Sequence, residues 1–134
     1  MTFVHLHCHT HYSLLDGLPK PADYVKKAEE QGSPAVAMTD HGNLYGAVDF
    51  YKAAKKFDVK PIIGFEAYTA ATSRNAKQAG IDNQIGHLVL LAETQKGYEN
   101  LMEISSKAHL EGFYYKPRVD MELLNDFSEG IISL

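Results

Sequence analysis

Cysteine is nearly absent from this sequence, since Cys8 is the single one in 134 residues. One thiol cannot form an internal disulfide, which is compatible with the reducing environment of the cytoplasm. Long apolar runs are missing too, although hydrophobic residues make up 45% of the chain, so no membrane span is predicted. The first residues lack the basic and apolar regions of a signal peptide. We therefore expect a cytoplasmic protein that makes no contact with a membrane.

Excess positive charge is also absent, because the net charge is -4 at pH 7. This charge argues against strong non-specific binding to nucleic acid by these residues alone. Lysines do cluster at Lys26-Lys27 and between Lys52 and Lys60, where we interpret them as solvated helix faces rather than as a phosphate track. A chain of this length fits one ordinary domain, or part of one, and can bury a core.

Strand and helix patterns alternate along the whole chain, which predicts an α/β fold. Strands are predicted at residues 3–9, 35–39, 61–68 and 87–92 and from 131, and helices at 21–31, 44–57, 95–109 and 120–125. Between them, residues 70–86 are predicted to form a surface excursion and residues 113–118 an aromatic and basic loop. Such repeated units predict parallel strands joined by right-handed crossovers. An apolar strand at the very end is expected to indicate an unfinished sheet or barrel, whose open strand edge and apolar surface invite self-association.

Three histidines alternate along the first predicted strand. His5, His7 and His9 are each two residues apart, so a strand directs all three imidazoles to one face. Together they span about 14 Å of strand. This pattern predicts a metal site, and the alternative is a polar strand edge with solvated histidines.

Further candidate ligands lie near the ends of other predicted strands. Asp16, Asp40-His41 and Glu66 fit the carboxyl ends at which chemistry collects in such folds, whereas His87 opens its strand and fits less well. Mixed imidazole and carboxylate sets suit zinc, manganese or iron. Two or three such ions could activate water and clamp a phosphoester. Glu66 is the candidate bridge, because a carboxylate buried beside apolar neighbours needs a cation or donors. The alternative is an exposed glutamate on an edge strand.

Several segments resemble motifs of the PHP (polymerase and histidinol phosphatase) superfamily. Its first two motifs are similar to His7-Cys8-His9-Thr10 with Ser13 and to Thr39-Asp40-His41-Gly42. Five further segments resemble the polymerase branch of the family, the amino-terminal PHP domains of bacterial DNA polymerase III alpha subunits: residues 12–17, 43–48, 60–64, 87–92 and 111–118. The likeness covers nearly the whole chain except residues 70–86.

The resemblance implies the N-terminal part of a distorted (β/α)7 barrel with a metal centre of up to three divalent ions. Six residues match the family's ligand positions, namely His7, His9, Asp16, His41, Glu66 and His87, and of these Asp16, Glu66 and His41 are the expected catalytic residues. Asp40 is expected to orient the His41 ring without binding the metal itself. The role of His5, which stands where many members have Asp, stays open. The family's remaining ligands are expected beyond Leu134, so residues 1–134 are interpreted as a barrel truncated after about the fifth strand.

Two classes of function follow from the resemblance. In the first, the domain is a metal-dependent phosphoesterase that serves a replicative DNA polymerase as a 3′-5′ proofreading exonuclease. In the second, it is a decayed structural module that docks the other polymerase domains and a separate proofreading subunit. A free-standing PHP phosphatase is a third alternative. The expected partners are DNA, reached through the longer polymerase, and the other domains of that polymerase. The 134 residues alone are expected to be inactive.

Overall fold

The computed structural model describes residues 3–14 and 16–134, which form a mixed sheet covered by helices. The strands are β1 (Ala35–His41), β2 (Lys60–Ala70), β3 (Ile85–Ala92), β4 (Phe113–Tyr114), β5 (Lys116–Val119) and β6 (Ile131–Ser133), and the helices are α1 (Pro21–Glu30), α2 (Ala47–Phe57), α3 (Gln95–Leu110) and α4 (Met121–Asp126). In the part of the chain that the structure describes, no helix has the length and apolar character needed to cross a membrane.

Strand β2 is the centre of the sheet. On one side it pairs in parallel with β1 along Lys60–Glu66 and with β5 at Tyr68 and Thr69. On its other side it pairs antiparallel with β3, which in turn pairs antiparallel with β6. Because β1 and β5 share one edge of β2, the carboxyl end of β1 lies where β5 takes over the pairing.

The prediction that all strands run parallel is wrong for β3. A parallel pair needs a long crossover, usually a helix, whereas an antiparallel pair can be joined by a loop. Residues 71–84 contain only turns and bends, so β3 folds back onto β2 from Gly64 opposite Leu91 to Ala70 opposite Ile85. The aromatic and basic segment predicted as a loop is also not one, because it forms β4 and β5, which pair antiparallel around Tyr115.

The first predicted strand, residues 3–9, is not a regular strand, although it runs beside β1. The backbone N–H groups of Ala37 and Thr39 donate to the carbonyls of His5 (3.0 Å) and Cys8 (2.8 Å). The N–H of Cys8, however, donates to the Thr39 hydroxyl at 2.8 Å. A side chain therefore takes the place of a backbone acceptor and interrupts the ladder, which leaves the segment extended but irregular.

Two apolar clusters hold the helices on the sheet. The first joins α1 and α2 to β1 through residues such as Val25, Met38 and Phe50, all at 0% exposure. The second joins α3 and α4 to β2, β3 and β5 and includes Phe65 and Leu101. Burying side chains of this size stabilises the fold by about 1.5–3 kcal/mol each. Because helices cover β1 and β2, these strands present one fixed end to the candidate site.

Arg118 on β5 is fully buried without a carboxylate at hydrogen-bond distance in the described chain. Its guanidinium donates to four backbone carbonyls, those of Gly112 (3.0 Å), Asp82 (2.8 Å), Arg74 (2.9 Å) and Ala76 (2.7 Å). Three of these carbonyls belong to residues 71–84. A planar group with five donors can satisfy several acceptors at once, so this side chain fixes the β2–β3 connection to β5.

Candidate metal centre

Five parts of the chain, including β3 with His87, bring the candidate ligands to one end of the sheet. The irregular N-terminal segment carries His7 and His9, and the turn that follows it carries Asp16. The last residue of β1, His41, lies opposite Glu66 on β2. The parallel register therefore aligns these two side chains directly.

The antiparallel direction of β3 explains how His87 reaches the cluster. In the sequence His87 fitted the site less well than the other candidates, because it opens its predicted strand. His87 lies opposite Tyr68, and Val89 lies opposite Glu66. His87 is thus the diagonal neighbour of Glu66 on the same face of the sheet. Because β3 runs antiparallel to β2, the first residues of β3 lie at the end of the sheet where the parallel strand β1 ends.

Glu66 is the centre of the cluster and is 4% exposed, so the alternative of an exposed glutamate is wrong. Its Oε2 lies 2.8 Å from His7 Nε2, 3.0 Å from His9 Nε2 and 3.3 Å from His41 Nδ1. Its Oε1 hydrogen-bonds to His87 Nδ1. Four imidazoles from three parts of the chain therefore surround one carboxylate.

The electrostatics of the cluster keep its donor atoms available. Burial opposes ionisation of Glu66, but hydrogen bonds from His7 and His87 outweigh it and hold the pKa of this carboxyl below its usual value. Burial and then the positive charge that His41 can carry lower the pKa of His9. A carboxylate that stays ionised and an imidazole that stays neutral are the protonation states that bind metal ions.

Asp16 forms the outer side of the cluster. Its Oδ2 lies 2.7 Å from His41 Nε2, and its side chain is 56% exposed. His41 thus bridges the two carboxylates, since its other ring nitrogen faces Glu66. The side chains of His7 (50% exposed) and His87 (47% exposed) are similarly accessible to solvent.

Among the described residues, the Asp40 carboxylate makes no hydrogen bond to the His41 ring. Neighbouring residues on a strand point to opposite faces, and the fully buried Asp40 carboxylate accepts hydrogen bonds from the N–H and hydroxyl of Thr10 (2.6 and 2.8 Å) and from the Ser13 hydroxyl (2.7 Å). Ser13 also hydrogen-bonds to His9 Nδ1 at 2.8 Å. Asp40 therefore orients His9, by way of Ser13.

His5 does not join the other histidines. Its ring packs edge-on against Phe3 at 4.7 Å, and it is not among the ligand atoms that come together. The prediction of three imidazoles on one face therefore fails for His5, because the segment that carries them is not a regular strand.

A cleft of about 500 Å³ opens beside the cluster. We call it the aromatic cleft, and its lining comprises Tyr12, Leu14, Asp16, His41, Asn43, Tyr45, Tyr68, Ile85, His87, His109, Phe113, Tyr115, Lys116 and Pro117. His109 ends the helix predicted at residues 95–109, and neither His109 nor Tyr68 was predicted as a site residue. Tyr68 could have been found from its spacing, because it lies two residues after Glu66 and so shares its face of β2.

The donor set fits a divalent transition metal. Three groups of side chains each offer ligand atoms within 4.8 Å of one another: His7, His9 and Glu66; His9, Asp16 and His41; and His41, Glu66 and His87. Tetrahedral ligands at about 2.0–2.1 Å from zinc lie about 3.3 Å apart, close to the 3.2 Å between His7 Nε2 and His9 Nε2. His41 Nδ1 is buried without a hydrogen bond in the described chain. An ion would give this atom a partner.

Residues 5–134 match the PHP domain family. Among curated proteins, the DNA polymerase III alpha subunit of Borreliella burgdorferi is 51% identical over 97% of this chain, and that of Thermus aquaticus is 52% identical over 100% of it. Each match covers 11% of the relative, so the chain spans about a ninth of the length of the curated relatives it matches.

The fold is similar to that of solved structures. One is a protein named as a metal-dependent phosphoesterase from Bifidobacterium adolescentis, with a TM-score of 0.56 and 20% identity over 78% of this chain and 32% of that chain. Another is an amidohydrolase from Chromobacterium violaceum, with a TM-score of 0.52 and 20% identity over 78% of this chain and 34% of that chain. These similarities confirm the predicted α/β fold class.

Proposed function

Because the chain belongs to the PHP domain family, which its residues 5–134 match, we propose that it is the amino-terminal PHP portion of a bacterial replicative DNA polymerase. The relatives at about half identity, all named DNA polymerase III subunit alpha, support this proposal. DNA-directed DNA synthesis is then the activity of the longer protein. For the domain itself we propose phosphodiester hydrolysis, as a 3′-5′ exonuclease that removes mispaired nucleotides.

The convergence of four imidazoles on Glu66 is the observation that supports a metal-dependent hydrolase. His7, His9 and Glu66 would hold one divalent ion, and His41 and His87 would join Glu66 in holding a second. The chemistry of the donors suits zinc, manganese or iron. Such ions supply a Lewis acid that lowers the pKa of water and neutralises charge on phosphoryl oxygens.

The protein's own groups divide the remaining work. Glu66 is buried and central, so it positions the histidines and neutralises positive charge within the cluster. Asp16 lies at the border of the aromatic cleft, where its carboxylate can accept a proton from the attacking water. His41 contacts both carboxylates and keeps them in a fixed relation. Asp40 and Ser13 hold the ring of His9 in place.

Asp16→Asn in the full-length protein is expected to lower excision of a mispaired 3′ nucleotide by at least about 100-fold, because it removes the proposed proton acceptor, which also belongs to one group of candidate ligands, with little change in volume. Primer extension and the thermal midpoint should stay within error, since the Asp16 side chain is 56% exposed. Both activities are measured on one labelled primer-template, and Asp23→Asn on the exposed surface of α1 is the matched control.

A structural role would give the opposite pattern. If the cluster only stabilises the fold that docks other polymerase domains, Asp16→Asn lowers the melting temperature and primer extension together, because bound ions stabilise the folded state. Excision that is equal in the Asp16→Asn and Asp23→Asn proteins would rule out the proposed exonuclease.

A further inference from the structure

The aromatic cleft holds large aromatic side chains that the fold leaves in water. Tyr45, Phe113 and Tyr115 all line it, and they are 67%, 52% and 73% exposed. An aromatic ring contributes to stability mainly by burying its large apolar surface. Three rings that stay more than half exposed around one cleft therefore contribute little to folding. Exposed apolar groups gathered at one place mark a surface that binds something else.

The backbone at Tyr115 strengthens this argument. Tyr115 alone connects β4 to β5, and its φ is 60°, in the left-handed region. Glycine or asparagine adopts this conformation at a lower cost than a bulky side chain does. A tyrosine that is both strained and exposed destabilises the hairpin. Strained residues of this kind concentrate at ligand-binding sites.

The ring of Tyr115 is held in position by Tyr114, which itself packs on Arg118. The guanidinium of the buried Arg118 lies 5.2 Å from the centre of the Tyr114 ring. The Tyr115 ring packs edge-on against Tyr114 at 4.7 Å, with 65° between the two planes. A ring supported in this way keeps a fixed orientation and loses little side-chain entropy when a ligand stacks on it.

The same hairpin lies next to the candidate metal centre. Gly42 follows His41 with a φ of 64°, and a Cβ at this position would lie 2.9 Å from Pro117 and 3.1 Å from the Tyr68 ring. The hairpin thus packs directly on the loop behind a candidate ligand. The ammonium of Lys116 lies 5.2 Å from the centre of the Tyr68 ring, which stacks on His41 at 5.8 Å.

We propose that the aromatic cleft binds the unpaired end of a polynucleotide strand by stacking its bases on Tyr115 and Phe113, with Lys116 close to its phosphates. This inference deepens the proposed function and rests on it for the class of ligand. Every base has a π-face, so stacking tolerates any sequence, but the faces are hidden in a duplex. The chain's net charge of -4 gives phosphates little general attraction. Stacking then supplies the affinity, and it selects frayed or mispaired ends over paired ones.

The test uses a twelve-nucleotide thymidine strand with 2-aminopurine as its 3′-terminal base and a 5′ label for anisotropy, with EDTA present. In the parent protein, stacking on Tyr115 should quench the fluorescence of the 2-aminopurine. Tyr115→Gly should weaken binding about tenfold or more, as expected for loss of one base stack, and should abolish this quenching. Its thermal midpoint should be equal or higher, because glycine relieves the positive φ. Tyr115→Phe should bind like the parent protein. Tyr51→Ala, which removes an exposed tyrosine that does not line the cleft, is the matched control.

Equal affinity of the parent and Tyr115→Gly proteins would overturn the inference, as would an equal loss in Tyr51→Ala. Binding that falls with added salt but does not depend on Tyr115 would also overturn it, because contacts to phosphates elsewhere would then be responsible. The proposed function fails separately. If the 134-residue chain shows Tyr115-dependent binding but the full-length protein releases no nucleotide with metal present, the stacking site stands and the exonuclease is ruled out.

Discussion

Glu66→Gln in the full-length protein is expected to remove up to two divalent ions per molecule and to lower phosphodiester hydrolysis by at least about 100-fold. The size of the effect follows from geometry, because Glu66 belongs to two of the three groups of candidate ligands. Loss of a residue that merely supports a ligand already costs 10- to 100-fold in affinity or activity. A neutral amide of the same shape also places an N–H donor at the point where the four imidazoles converge on a carboxylate acceptor. The measurement is elemental analysis of dialysed protein beside hydrolysis of bis(p-nitrophenyl) phosphate.

Glu103→Gln on the exposed face of α3 is the matched control, since it removes the same charge far from the site. It should keep both the ions and the activity of the parent protein. Equal metal content in the Glu66→Gln and Glu103→Gln proteins would contradict the assignment of Glu66 as a ligand.

Arg118→Leu should lower the free energy of unfolding by about 3–5 kcal/mol. The substitution leaves four buried carbonyl groups without their donor, and breaking a buried charged network costs this much. The loss corresponds to roughly 10–20 °C in the thermal midpoint for a domain of this size. Chemical denaturation followed by circular dichroism measures it.

Arg74→Leu is the comparison, because Arg74 is the arginine that belongs to the β2–β3 connection, residues 71–84. Arg74 pairs with Glu111, Asp120 and Glu122 at 2.8–2.9 Å, but Glu122 is 71% exposed. The pairs with Glu111 and Glu122 are partly exposed, and such pairs contribute about 1 kcal/mol or less each. The pair with Asp120 is more buried, but without the guanidinium this carboxylate still accepts from the backbone N–H groups of residue 74 and Leu123. We therefore expect a smaller loss. If Arg118→Leu costs no more than Arg74→Leu, the stability of the fold does not depend on the four hydrogen bonds of Arg118.

Much of the fold could be predicted from local patterns. The apolar spacing predicted a helix at residues 44–57, which corresponds to α2, and in the structure Phe50 is buried whereas Tyr51 is 46% exposed. The direction of β3 was wrong because strand direction depends on the connection. The absence of a helical period in residues 71–84 was available as a signal for a hairpin. The β4–β5 hairpin was missed since its strands are two and four residues long.

The candidate site was predicted best where register decides the outcome. His41 and Glu66 both lie near the carboxyl ends of predicted strands, and the parallel pairing of β1 with β2 places them opposite each other. The bonds of Asp40 could not be predicted, because they depend on Thr10 and Ser13 in an irregular turn. Irregular segments carry no periodicity from which the direction of a side chain can be read. For the same reason the departure of His5 from the cluster was not foreseen.

The irregular backbone of residues 3–9 has a consequence for how stability is distributed. Among the described residues, two backbone bonds at His5 and Cys8 tie this segment to β1, whereas β1 and β2 pair over seven consecutive positions. Local opening costs least where few bonds must break. The segment that carries His7 and His9 is therefore the first part of the site to exchange its amide hydrogens. Part of the binding energy of any ion held there is spent on closing it, so substitutions along the segment can tune affinity without touching a ligand.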